Sequence, residues 1–222
     1  MKKLLLTFVA IAATILASAQ EPVGTWSLKP MVGVNRSNYE GADCRGAMPK
    51  WGLTAGLEIG YQANSFMEVS LGAQYSQQGS MIHDEYAISP NSSNSWSHDD
   101  VKLTANYINV PLLANFYLVK GLALKTGLKF GFLLKAEEDV NFRYEDGSVV
   151  KGADLMDGFK KFELSIPIGI SYEYRGFVVD ARYYYPLSKC DTNEFNIWSG
   201  VEGKKGIRTS VLQLTLGYKF AL

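Results

Sequence analysis

The side chains best suited to catalysis lie together in one stretch of the chain, Ser97-His98-Asp99-Asp100. Ser, His and Asp are the residue types of nucleophilic hydrolysis, in which a histidine activates the hydroxyl and a carboxylate orients the histidine. Catalysis requires the three groups to converge in space, and sequence neighbours in a Ser- and Asn-rich segment such as residues 91–97 rarely do so. We therefore predict no catalytic site here and interpret the protein as non-enzymatic.

Metal-binding residue types are present but poorly arranged. His83 and His98 are the only two histidines, and with Asp84 and Asp99 they lack the rigid ligand spacing of a zinc site. A second segment, residues 136–159, holds seven carboxylates against two basic side chains and could bridge calcium at a lipopolysaccharide surface. We interpret it as a solvated loop. The sequence thus predicts no metal site and no cofactor.

Most of the remaining chain alternates between apolar and polar residues, which is the two-residue period of a β-strand with two different faces. In SVLQLTLGYKF, residues 210–220, Leu212, Leu214 and Leu216 share one face, and Lys219 lies on the other. Across the last three such segments the apolar face carries no charge at 17 positions. A charge facing lipid at the bilayer midplane costs about 2–4 kcal/mol, which accounts for this pattern. We therefore expect the apolar face to contact lipid.

Eight alternating segments can be marked, and the connections between them alternate in length. The connections at 62–65, 119–121 and 174–176 are tight turns, whereas 37–49, 80–100, 136–159 and 189–206 are long and polar. This arrangement predicts an all-β fold, an eight-stranded antiparallel up-and-down transmembrane β-barrel with short periplasmic turns and long extracellular loops. The predicted strands cover residues 26–36, 50–62, 65–79, 101–118, 121–135, 160–174, 177–188 and 207–220.

The first 19 residues have the pattern of a secretory signal peptide. Lys2 and Lys3 precede an apolar stretch that ends in Ala17-Ser18-Ala19, so we expect cleavage near Ala19 and a barrel domain over residues 20–222. Removing two of the 22 basic residues leaves 20 against 22 acidic ones, so no basic field suggests nucleic acid. We predict outer-membrane localisation, a monomeric barrel, contact with outer-membrane lipid and lipopolysaccharide, and envelope protein partners that the sequence does not identify.

Aromatic residues are concentrated near the two ends of the predicted strands, as in the aromatic belts of membrane barrels. The set at the short-turn ends comprises Trp26, Tyr61, Phe66, Phe116, Tyr117, Tyr174, Phe177, Tyr218 and Phe220. The set at the long-loop ends comprises Trp51, Tyr75, Phe130, Phe132 and Tyr183 to Tyr185.

The central segment YINVPLLANFY, residues 107–117, resembles the signature strand of the PorT-like "porin family" outer-membrane β-barrels of Bacteroidota. Further similar segments follow in order over almost the whole mature chain: KTGLKFG (125–131), GISYEY (169–174), DARY (180–183) and VLQLTLGYKF (211–220). The resemblance implies an eight-stranded outer-membrane barrel. Because some members are required for secretion through the outer membrane, it also implies one possible role, as a component of a secretion assembly.

An eight-stranded barrel has an interior that side chains alone can fill. The inward positions offer five acids and five bases, which suggests an interior ion-pair network, since isolated charges there would carry a large desolvation penalty. We expect Arg182 to bind Glu173 or Asp180 in a bidentate manner, and we predict a plugged lumen. The ten residues are Lys29, Glu58, Glu68, Lys125, Lys129, Glu163, Glu173, Asp180, Arg182 and Lys219.

The two cysteines lie in long connections. Cys44 is in the first and Cys190 in the fourth, and these connections share a rim in a closed barrel, so a disulfide and two free thiols are both open.

The main functional interpretation is a structural or interaction role in the cell envelope. The alternatives are a secretion component, a narrow porin, and a lipid-modifying barrel enzyme that uses His98.

Overall fold

A computed structural model describes residues 21–40, 47–83, 100–139, 142–143, 149–150, 156–190 and 206–222. Eight long strands form the fold, and each of the eight predicted segments corresponds to one of them. Several strands extend further towards the long loops than the alternation predicts. The strands are β1 Trp26–Glu40, β2 Ala47–Asn64, β3 Met67–His83, β4 Asp100–Val119, β5 Leu122–Asp139, β6 Phe162–Tyr174, β7 Phe177–Pro186 and β8 Arg208–Tyr218.

The strands form one closed antiparallel sheet. Each strand pairs with the next, and β1 also pairs with β8, so this sheet has no free edge among the described strands. After Lys219 the chain pairs again with β1 through Phe220–Ala221. Phe142–Arg143 and Val149–Val150 form a separate two-stranded ladder, and Met156–Gly158 form one 3-10 turn. The described part of the chain contains no helix long and apolar enough to cross a membrane.

The stagger of the barrel can be read from the register. Arg36 on β1 is paired with a residue of β8, and that residue with one of β7, and so on from strand to strand around the sheet. This path returns to β1 at Trp26, which is ten residues before Arg36. Eight strands with this stagger tilt by about 40° to the barrel axis, within the usual range for closed barrels. The interior is therefore narrow enough for side chains to fill it.

The outer surface is apolar, as the alternation predicts. Leu212, Leu214 and Leu216 are 49%, 51% and 52% exposed, whereas Lys219 is 8% exposed. Most of the predicted aromatic residues also face outward, with Trp26 and Trp51 both more than half exposed at opposite strand ends. Two belong to the other face and were assigned wrongly: Tyr184 is buried inside the barrel, and the hydroxyl of Tyr117 contacts interior side chains.

The hairpin between β6 and β7 shows why these turns can be short. Arg175 and Gly176 have φ angles of 50° and 83°, and two consecutive positive values are typical of the type I′ turn that suits the twist of paired strands. Gly176 is also constrained from outside, because a Cβ atom there would lie 2.8 Å from the Tyr218 ring. Glycine therefore serves both the turn conformation and the packing of β8 over it.

Two prolines lie inside strands, Pro111 on β4 and Pro167 on β6, and because proline cannot donate to the ladder the sequence predicts a local bulge at each. This prediction is wrong, because the register on either side of both prolines is continuous. At each proline the ladder lacks one backbone N–H donor, and the strands stay paired without an extra residue. A bulge does occur where β4 and β5 pair between Asn106 and Tyr107, and the additional residue belongs to β5. The polar residues Lys102, Thr104 and Asn106 suggest a change of parity on β4 near Tyr107, but β4 keeps a single alternation, and Leu103, Ala105 and Tyr107 face the interior.

Candidate functional site in the barrel interior

The ten ionisable residues at inward positions lie inside the barrel, and none is more than 8% exposed. Strand alternation alone brings them there, because each occupies the face opposite the lipid-facing residues of its strand. The structure divides them into three groups at successive levels between the short turns and the long loops. Each group contains both signs of charge, so no carboxylate among the ten is without a cation within 4 Å.

The central group is built around Arg182 on β7. Its Nε and Nη2 atoms donate to the two carboxylate oxygens of Asp180 at 2.7 and 2.6 Å, and its Nη1 atom lies 2.5 Å from Glu58 Oε1. Lys29 Nζ lies 2.5 Å from Glu58 Oε2, and Lys125 Nζ donates to Asp180 at 2.6 Å. Two carboxylates and three cations thus form one connected cluster, with Glu58 joining the first strands to the last ones.

The partner expected for Arg182 was partly wrong. Asp180 binds it in the bidentate manner predicted, but Glu173 does not, and Glu58 takes the second position. The register explains this difference. Arg182 pairs with Gly169, four residues from Glu173 along β6, whereas Glu173 pairs with Val178 near the turn. At about 3.3 Å per residue, Glu173 is about 13 Å too low along the strand.

A second group lies near the short turns and has Lys219 at its centre. Lys219 Nζ lies 2.5 Å from Glu68 Oε2 and 3.6 Å from Glu173 Oε2. The Tyr117 hydroxyl donates to Glu68 Oε2 at 3.2 Å, and Asn115 Nδ2 donates to Glu68 Oε1 at 2.9 Å. One lysine therefore holds two carboxylates, so this group has one negative charge in excess.

The third group is a single ion pair towards the long loops. Lys129 Nζ on β5 donates to Glu163 Oε1 on β6 at 2.5 Å, and the Lys129 side chain is 1% exposed. The ammonium also lies 5.1 Å from the centre of the Tyr184 ring, which is within cation–π range. This pair is separate from the other two groups, which makes it the simplest part of the interior to test.

Glycines directly across the sheet make room for three of the charged side chains. Glu58 pairs with Gly72, Glu163 with Gly131 and Arg182 with Gly169. A Cβ atom at any of these glycines would lie within 3.0 Å of the opposing side chain. The pattern of inward glycines is visible in the sequence, but the pairing of each glycine with one charge requires the register.

Above the charged groups the interior becomes apolar, which the sequence analysis missed. The buried residues of this apolar cap are Tyr39, Leu103, Ala105, Tyr107, Leu133, Ala136, Phe159, Cys190 and Ile207, with Met156 packed against them. The sequence pattern around Tyr107 could have indicated it, because Leu103 and Ala105 share the inward face of β4 with Tyr107.

Parts of two loops complete the apolar cap. Phe159 follows the 3-10 turn and packs against Tyr39, with ring centres 5.9 Å apart. The Lys160 N–H donates to the Cys190 carbonyl at 2.8 Å, and the Cys190 N–H donates to the Ile207 carbonyl at 2.9 Å. The segments that flank β6 to β8 are therefore bound to each other side by side at the mouth of the barrel, each to the segment of the neighbouring strand.

Free space remains at the short-turn end. A cavity of about 20 Å³ lies between the central group and the Lys219 group, which is room for about one or two water molecules. Its lining is polar and includes Ser27, Ser70, Ser171 and Tyr117. The cavity ends below the apolar cap, because every residue lining it belongs to the lower part of the barrel.

Several predicted residues lie outside the described part of the chain. Ser97, His98 and Asp99 are among them, as are Cys44 and residues 1–20 with the predicted signal peptide. Cys190 is buried in the apolar cap, with its Sγ atom 3.4 Å from the Ile207 carbonyl oxygen, and the choice between a bridge to Cys44 and two free thiols stays open. Within the described residues, no three metal-ligating side chains converge.

The signature segment on β4 has a structural explanation. Its alternate residues Tyr107, Asn109, Leu113 and Asn115 are each 1% exposed and point into the barrel. Asn115 binds Glu68, and Tyr107 belongs to the apolar cap. These residues are thus required for filling the interior, and nothing about them points to a particular partner.

Comparison with known families gives a direct assignment. The model of the family described as "Outer membrane protein beta-barrel domain" matches residues 18–191, more than half of the chain. The chain belongs to this family. It is accordingly an outer-membrane protein, in agreement with its apolar outer surface and two aromatic rims. The more specific PorT-like assignment is not supported by this match. A comparison with curated proteins finds no match.

Solved outer-membrane barrels are similar at low sequence identity. Ail, the attachment invasion locus protein of Yersinia pestis, is 17% identical with a TM-score of 0.48, over 90% of this chain and all of that one. Neisserial surface protein A is 16% identical with a TM-score of 0.47, over 87% and 97%. The outer membrane protease OmpT from Escherichia coli is 8% identical with a TM-score of 0.39, over 94% and 100%. Similarity at this level does not indicate what the chain binds or does.

Proposed function

We propose that the protein is a non-enzymatic outer-membrane barrel with a sealed interior, which acts through its outer surface and loops in the cell envelope. The observation that carries this proposal is the filling of the interior along its length. Buried ion pairs fill the interior from the short turns upward, and the apolar cap lies above them near the long loops, together with buried polar side chains such as Gln78 and Ser80. A solute would have to break both.

The state of the carboxylates supports the non-enzymatic part of the proposal. General acid–base catalysis needs a carboxylate or histidine placed against a substrate, whereas the five interior carboxylates contact lysine or arginine. The cavity beside the central and Lys219 groups has room for only one or two waters. The alternative of a lipid-modifying enzyme rests on His98, so a lipid A profile of a His98→Ala strain tests it, and a lost modification would favour the enzyme.

Single-channel recording in planar bilayers tests the seal. We expect no steady conductance from the wild-type barrel. A Tyr107→Ala/Phe159→Ala variant removes two large side chains from the apolar cap, so we expect it to show more frequent brief openings. A matched control, Leu212→Ala/Leu214→Ala, removes two side chains of the lipid-facing surface and should stay closed. Steady openings of the wild type would favour the narrow porin instead.

The secretion alternative rests only on the resemblance of residues 107–117 to PorT-like barrels. Alternate side chains of that segment pack inside the barrel, so the segment offers no separate evidence for a secretion partner. Deleting the gene and comparing exported proteins distinguishes the two interpretations. A surface role predicts an unchanged set of exported proteins, whereas accumulation of exported proteins in the periplasm would favour the secretion assembly.

A further inference from the structure

The outer face of β1 changes from apolar to charged at one residue, Arg36. Val32 and Val34 precede it on that face and are 62% and 36% exposed, and Arg36 is exposed as well. Its direct neighbours across the sheet are Leu212 on β8 and Trp51 on β2. Among the described residues, no carboxylate forms an ion pair with Arg36.

Two other outward cations at this rim have an anion nearby. Arg208 lies directly opposite Glu40 in the pairing of β8 with β1. Lys135 forms an ion pair with Glu137. Arg36 differs from both because its cross-strand neighbours are apolar or aromatic, so its guanidinium is available to an external anion.

The position of Arg36 along β1 and the tilt of the strand give the depth of Arg36 in the membrane. It lies ten residues above Trp26, which is part of the aromatic rim at the short turns. Ten residues of strand tilted by about 40° rise about 25 Å, which equals the usual height of the lipid-facing apolar band. Arg36 therefore lies at the opposite membrane interface. Trp51, 64% exposed beside it, is the residue type found at headgroup level.

We propose that Arg36 binds the phosphate of a phosphorylated lipid in the leaflet on the long-loop side. The planar guanidinium can donate two parallel hydrogen bonds to phosphate oxygens. Trp51 flanks the headgroup, and Val34, Leu212 and Leu214 form the apolar wall along which the acyl chains extend. The occupant is a lipid and not free phosphate, because the apolar wall continues directly below the charge. The proposal does not depend on whether the lumen is sealed.

Binding of lipid A to the intact barrel, refolded in nanodiscs of phosphatidylcholine, tests this site. The probes are lipid A with its phosphates, dephosphorylated lipid A, and inorganic phosphate alone, and retained lipid is counted by native mass spectrometry. The variants are Arg36→Gln, Arg36→Lys and a matched control, Arg175→Gln, which removes one exposed arginine at the opposite rim. Heat-modified gel mobility shows that each variant is folded.

We expect Arg36→Gln to weaken binding of phosphorylated lipid A about tenfold or more, as for loss of a charge-assisted bidentate contact. Arg36→Lys should lose less, because the charge is kept, and Arg175→Gln should bind as the wild type does. Three results would each overturn the proposal: equal binding by Arg36→Gln, equal binding of dephosphorylated lipid A, or an equal loss in Arg175→Gln. Binding of inorganic phosphate alone at the same site would overturn its assignment to a lipid.

Discussion

The ion pair between Lys129 and Glu163 allows a quantitative test of how the interior is stabilised. Both side chains are buried, their contact is 2.5 Å, and neither forms an ion pair with the other two charged groups. Replacing Lys129 by Met keeps the length of the side chain but leaves Glu163 without its cation. Removing one partner of a buried ion pair costs about 3–5 kcal/mol, mostly because the remaining charge is desolvated and uncompensated.

The double variant should behave differently from either single one. With Lys129→Met and Glu163→Met together, no charge is left unpaired, and two apolar side chains of similar volume fill the space. Such replacements are often neutral or stabilising, so we expect the double variant to lie within about 1 kcal/mol of the wild type. The double-mutant cycle should therefore depart from additivity by about 3 kcal/mol or more. The lost contact of Lys129 with the Tyr184 ring is a smaller effect, about 0.5–2 kcal/mol.

Urea unfolding from phospholipid vesicles, followed by tryptophan fluorescence and gel mobility, measures these free energies of unfolding. Lys135→Met is a matched control, because Lys135 lies on the same strand, also contacts a glutamate, and is 56% exposed. An exposed pair contributes about 0–1 kcal/mol, so this control should change stability little. Additive effects in the cycle, or a loss in Lys135→Met as large as that in Lys129→Met, would refute the account of a desolvated pair.

Four further predictions use the same unfolding assay or peptide mapping. Arg182→Lys should destabilise the barrel by about 1.5–3 kcal/mol, because lysine cannot reproduce the two parallel hydrogen bonds to the aspartate; an unchanged midpoint contradicts this. Leu216→Arg places a charge against lipid and should cost about 2–4 kcal/mol, so a neutral effect would argue against the lipid-facing assignment. Gly131→Ala brings a Cβ atom to 2.5 Å from a glutamate side chain and should cost about 1–3 kcal/mol, whereas a gain would show unused space. Non-reducing peptide mapping decides between the two states that the sequence leaves open, because a Cys44–Cys190 peptide would show the disulfide and alkylation of both thiols under native conditions would show two free thiols.

Strand alternation was sufficient to predict much of the fold. Leu212, Leu214 and Leu216 share one parity with Tyr218 and Phe220, and a period of two admits only two faces. The absence of charge on that face indicated lipid, and the alternation of short and long connections indicated an up-and-down barrel. These features depend on local residue order, which the sequence contains.

The partners of the interior charges could not be predicted in the same way. Glu58 and Arg182 are far apart in the chain, and both lie at inward positions, but their contact depends on which residues of β2 and β7 reach the same level. That level depends on the stagger accumulated around the strands between them. A shift of two residues in any one of those registers keeps every side chain on its face but changes which interior residues meet across the shifted pairing.

Residue order alone predicts which face of each strand is apolar, where the tight turns fall, and how many inward charges of each sign the interior must hold. The closed barrel was needed to show that Glu58 and not Glu173 completes the Arg182 cluster, that Phe159 from a loop helps to close the mouth, and that Arg36 lies one full stagger above Trp26. Side-chain direction is a local property of the backbone, whereas the depth of a residue in a closed barrel is a sum over all of the strand pairings.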